Sequence, residues 1–188
     1  MVIRKVARLG HPVLRQKAGL VLPQELRLDA TQQLIDDMVE TMREYEGVGL
    51  AAPQVHVSKR IFVVEIEAHH PRYPEAPEFE LLIVVNPELT LLDNAWVSGW
   101  EGCLSIPGLK GSVPRCGKVH LKALDRNGRT FEKTLVGFAA VVTQHEYDHL
   151  DGIVYLDRMP DLSSLCYDHE YERYWTKQAE EVAETITK

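Results

Sequence analysis

Residues 138–149 restrict this chain more than any other stretch. Counted from Phe138, the residues Val141, Val142, His145 and His149 fall at offsets of three, four, seven and eleven, which places all five on one face of a helix. A face that is apolar and also carries two imidazoles has to be buried, and buried imidazoles need partners. Both histidines belong to His145-Glu146-Tyr147-Asp148-His149. Residues four apart face the same way on a helix, so two rings converge on one metal ion while the intervening glutamate reaches a water beside it. The fold must wrap a core around this helix and still leave a way in.

The rest of the chain offers elements for that wrapping. Asp29 and Gln32 have capping-box spacing, and Leu34, Ile35, Met38, Val39, Met42 and Tyr45 follow at helical period until Gly47. From Ile61 the pattern changes to short β-rich runs at 61–67, 81–85 and 96–100, separated by turns that carry proline. Residues 118–124 alternate as a strand, and Asp125-Arg126-Asn127-Gly128 predicts a hairpin turn into 130–136. Strands followed by a core helix predict an α+β domain, with mostly antiparallel sheets packed around the central histidine-bearing helix and an N-terminal helix beside them. Residues 68–80 read as an acidic, proline-rich insert in which His69 and His70 are expected to be solvated. Residues 1–160 are expected to form one catalytic domain and residues 161–188 a polar, helical tail.

Composition closes off several functions. A net charge of -7 disfavours long-range attraction to nucleic acid or an anionic membrane. No apolar run approaches membrane-spanning length, and the first residues lack the apolar core of a secretory signal. Cys103, Cys116 and Cys166 are an odd number at wide spacing, which points to a reducing, cytoplasmic setting and not to a disulfide framework.

A catalytic metal site needs a third protein ligand and an open position. The metzincin continuation fails here, because Tyr155 stands where its third histidine would fall. That argues against a zinc endopeptidase, the rival reading of the same five residues. Cys103 is the favoured third ligand: it sits in Glu101-Gly102-Cys103-Leu104-Ser105, where glycine allows close backbone approach and a thiolate can lie beside a cation. Taken alone, a cysteine is more often a small buried hydrophobe.

Three segments in order now carry more weight than any one of them. Gly47-Val48-Gly49-Leu50-Ala51-Ala52-Pro53-Gln54, Glu101-Gly102-Cys103-Leu104-Ser105 and Gln144-His145-Glu146-Tyr147-Asp148-His149 resemble the three signature motifs of peptide deformylases, and weaker similarity runs from His11 to about Met159. The resemblance implies hydrolysis of the formyl group from N-formylmethionyl nascent peptides. It implies one divalent ion held by Cys103, His145 and His149, with iron(II) as the native candidate and zinc, nickel or cobalt compatible with the donors. It makes Glu146 the general acid and base, and assigns Gln54 and the Leu104 backbone N–H to the carbonyl oxygen. Val48, Gly49, Phe138, Val141 and Val142 would line a pocket for methionine. Glu101 and Arg115 would pair to brace the cysteine loop, and Asp148 would orient a neighbour.

Some deformylases carry a C-terminal helix that docks on the ribosome. In this chain residues 161–188 hold seven acids against three bases, so contact with ribosomal RNA is not expected. They are expected to pack back through Leu162, Leu165, Tyr171, Tyr174 and Trp175, or to join a subunit interface.

Overall fold

The computed structural model describes residues 2–92 and 96–176. Its helices are α1 (Pro23–Leu26), α2 (Asp29–Glu44), α3 (Gly137–Leu150) and α4 (Asp168–Tyr174). Its strands are β1 (Gly49–Ala51), β2 (Ile61–Ile66), β3 (Phe79–Leu91), β4 (Trp96–Cys103), β5 (Ile106–Cys116), β6 (Lys118–Leu124), β7 (Thr130–Val136) and β8 (Cys166–Tyr167). One sheet runs β1-β2-β3-β6-β7 and a second β4-β5-β8, and every pairing is antiparallel. The α+β expectation holds.

The two-residue period of β2 explains where the core sits. Ile61 and Val63 point to one face, where they meet Ile35, Met38 and Met42 of α2. Phe62 and Val64 point to the other and pack with Ala140, Val142 and Leu150 of α3. All four β2 residues have no exposed surface, so the sheet is filled from both sides. The histidine-bearing helix therefore lies against the sheet with its far face turned to β4 and β5.

Several expectations need correction. The α2 cap is Leu28, not Asp29, and Gln32 instead donates to the Leu26 and Arg126 carbonyls at 2.7 and 3.0 Å, tying the helix start to the β6–β7 hairpin. The strand expected to stop at Val85 continues to Leu91 through Asn86-Pro87, because the register shifts there and Asn86 takes a positive φ of 50°. A bulge absorbs a proline that otherwise reads as a turn. β5 has no counterpart in the sequence reading, since Pro107, Gly108, Gly111 and Pro114 break its pattern. His70 is buried, unlike exposed His69. The part of the tail expectation that falls on residues 177–188 lies outside the described residues.

Candidate metal centre

The site forms where three segments far apart in sequence are drawn together. β4 and β5 meet in a tight turn with Cys103 paired to Ile106, and the ladder shifts register between Gly102 and Cys103. Such a shift re-aims a side chain, and here it carries Cys103 inward toward α3. The N-terminal segment clamps the turn against the first motif: Ala7 N–H donates to the Gln54 carbonyl at 2.7 Å and Leu9 N–H to the Ser105 carbonyl at 2.9 Å. Arg8 also donates to the Leu104 carbonyl.

Cys103 Sγ and one ring nitrogen from each of His145 and His149 lie within 4.8 Å of one another. Bonds of about 2.3 Å from sulfur and 2.0–2.1 Å from nitrogen let all three reach one ion. The Cys103 Sγ to His149 Nε2 separation is 3.3 Å. Burial by itself would push the Cys103 thiol up, but the His149 and His145 rings outweigh it and hold the thiol well below its ordinary range. The thiolate is the form that ligates. His145 points its Nδ1–H at Glu101 Oε2, 2.8 Å away, which leaves Nε2 for the site.

Behind these residues lies a buried charge network. Arg115 donates through Nε and Nη2 to both oxygens of Glu101, at 2.7 and 3.0 Å, and through Nη1 to Asp148 Oδ2 at 2.5 Å. Arg158, unforeseen from sequence, binds Asp148 through Nη2 and Nε at 2.7 and 3.0 Å. Burial raises the Glu101 pKa, yet His145 and Arg115 bring it down to about 2.

Glu146 has the opposite surroundings. It is 3% exposed, its Oε2 has no hydrogen-bond partner among the described residues, and burial pushes it up to about 7 against the pull of His145 and His149. Gly49 makes its position possible, since a Cβ there would come within 2.8 Å of Glu146 Cγ and Cδ. Gln54 is fixed by the Ala51 N–H, which donates to Oε1 at 2.8 Å. Its Nε2 then faces Cys103 Sγ at 3.5 Å and Ser105 Oγ at 3.3 Å. Ser105, fully buried, had no role in the sequence reading.

One open cleft joins these groups. Val48, Gly49, Gln54, Glu101, Cys103, Leu104, Phe138, Val141, Val142, His145 and Glu146 all line it. His149, Asp148 and Arg115 are buried and do not line it. The cleft also includes Arg72, Tyr73, Trp100 and Gly102, which sequence patterns did not single out for a site. Tyr73 comes from the proline-rich insert and packs its ring 5.0 Å from that of Phe138. No spacing rule marks it, because its partner is 65 positions away.

The profile of the family described as polypeptide deformylase matches residues 3–164. Peptide deformylase 2 of a Nostoc species is 44% identical, over 92% of this chain and 94% of its own. The peptide deformylase of Symbiobacterium thermophilum is 42% identical, over 99% of this chain and 78% of its own. Among solved structures, the Met-Ala-Ser-bound class I type b peptide deformylase of Acinetobacter baumannii is similar with a TM-score of 0.81 and 42% identity, covering 84% of this chain and 99% of that one.

Proposed function

The chain belongs to the polypeptide deformylase family and removes the formyl group from N-terminal methionine, and from that premise we propose how its residues divide the work. The observation that carries the proposal is the convergence of Cys103, His145 and His149 at the wall of the cleft that Glu146 and Gln54 also line. A thiolate and two imidazoles, backed by an ionised Glu101, form a donor set that fits a divalent ion. When bound, that ion supplies Lewis acidity and makes water acidic enough to react near neutral pH.

The protein's own groups do the rest. Water adds to the formyl carbon as Glu146 takes its proton, and Glu146 returns that proton to the methionine nitrogen as the C–N bond breaks. Formate and a free amino terminus are the products. Gln54 Nε2 and the Leu104 N–H donate to the carbonyl oxygen as charge gathers there; both are fixed beforehand, so no reorganisation is needed. Val48, Gly49, Phe138, Val141 and Val142 enclose the methionine side chain. Glu101 holds the orientation of His145, Arg115 holds Glu101, and Asp148 in turn holds Arg115. All of these groups lie within residues 1–160, which we take as the catalytic unit, with 161–188 as an appendage.

The native ion is proposed to be iron(II), and the soft donor set also accommodates zinc, nickel or cobalt. The compartment is proposed to be the cytoplasm, in keeping with three free cysteines. Ribosomal RNA is not a proposed partner, given the acidic balance of residues 161–188. The decisive experiment is anaerobic formate release from formyl-Met-Ala-Ser with metal analysis of the same sample. We expect turnover with about one ion per chain, both lost in Cys103→Ala. Full metal content in that variant would overturn the ligand set.

A further inference from the structure

The outer face of the β4–β5 hairpin is where the C-terminal segment meets the cleft. Glu101 and Cys103 point inward from β4, so Trp100 and Gly102 point outward. Residues 161–175 return over this face. β8 adds to β5 at Leu109 and Lys110, and the Trp100 ring then packs against Tyr171 at 4.9 Å and Trp175 at 5.3 Å. Lys110 Nζ lies 4.2 Å from the centre of the Tyr171 ring. Trp100 is thus a wall of the cleft on one side and the seat of the C-terminal segment on the other.

We propose that residues 161–175 are a positioning element for substrate, holding the Trp100 indole so that the peptide beyond the methionine crosses Gly102 between Trp100 and Arg72. The inference rests on placing the formyl group at Cys103, His145 and His149. With the formyl carbon there and the methionine side chain between Val48 and Phe138, the wall formed by Gly102, Trp100 and Arg72 is left free for the rest of the peptide. Gly102 keeps that floor low: a Cβ there would sit 3.6 Å from Arg72 Nη2. On its face of the sheet Trp100 has Ser98 and Gly102 along β4 and Ser112 directly opposite on β5, so the large rings that meet its indole are those of Tyr171 and Trp175. Fixing a rotamer before binding removes an ordering cost that the substrate otherwise meets.

The test compares formyl-methionine amide, which ends at the first residue, with formyl-Met-Ala-Ser on the full-length, metal-loaded enzyme. In Tyr171→Ala and Trp175→Ala, KM for the tripeptide should rise about three- to tenfold while kcat stays within about twofold, and the amide should be unaffected. Tyr171→Leu keeps apolar contact and so guards against misfolding; it should show the same split. A purely structural role would lower kcat for both substrates alike, and that result, or no change at all, overturns the inference. Trp100→Ala separates the two levels of the argument. If it raises the tripeptide KM while the Tyr171 and Trp175 variants do not, the role of residues 161–175 is overturned. If Trp100→Ala alters neither substrate, the placement of the peptide fails and the inference fails with it.

Discussion

Glu101 on β4 and Glu146 on α3 are both buried in the same cleft, at 6% and 3% exposure, and differ in everything else. Glu101 has both oxygens bound to Arg115 and one also to His145, and it stays ionised down to about pH 2. Glu146 has an oxygen without a partner among the described residues and is pushed up to about 7. One carboxylate is anchored and the other is left to react. Burial is the common factor, and the number of hydrogen-bond donors within reach decides between them.

The largest expected effect breaks the comparison at its reactive member. Glu146→Gln keeps shape and removes proton acceptance, so formate release should fall about a hundred- to ten-thousand-fold. Because the glutamate is desolvated and unpaired, the variant should be at least as stable to heat as the parent. Near-parental turnover at full metal content would remove Glu146 from its role.

At the anchored member the expected damage is to the fold. Arg115→Met leaves Glu101 and Asp148 buried without their shared cation, at a cost of about 3–5 kcal/mol in unfolding free energy. Denaturant melts measure this directly. A loss under about 1 kcal/mol would show that Arg158 and His145 suffice as partners.

The smallest effect sharpens the comparison at a distance. Asp37 on α2 is a further buried carboxylate: burial raises its pKa, but Gln33, the Val2 N–H and Arg4 outweigh that and hold it below the usual range. A lowered folded value means that its stabilisation is complete above the unfolded-state pKa of about 3.9 and drains away as pH falls below it. Asp37→Asn should therefore lower Tm by about 2–4 °C at pH 7, with the gap from the parent closing toward pH 3. A gap that widens on acidification would reverse the assigned sign.

Much of the site was legible because its parts lie in short, ordered motifs. Gln54, Cys103, His145, Glu146 and His149 were picked out by spacing and resemblance, and the structure brings all five together. What escaped has no local signature. β5 is hidden by two prolines and two glycines, none of them at Leu109 or Lys110, the two residues that pair with β8. His70 and Tyr73 sit in a stretch whose composition reads as solvated, yet His70 is buried and Tyr73 meets Phe138. Of the apolar tail residues expected to pack, Leu165 joins the core around Cys103 and Tyr171 reaches Trp100, whereas Leu162 and Tyr174 are exposed.

The sequence by itself determined α3 and its pair of histidines, the long helix α2, the hairpin of β6 and β7, and the family. Each follows from a period of 3.6 or 2, or from a run of adjacent residues, since side-chain direction is set by backbone geometry over a few positions. Only the tertiary structure decided that Arg158 joins Arg115 on Asp148, that Tyr73 closes on Phe138, and that the C-terminal segment reaches the cleft at Trp100. Those outcomes depend on which distant segments are brought within a few ångströms, and separation along the chain leaves no periodic trace of that.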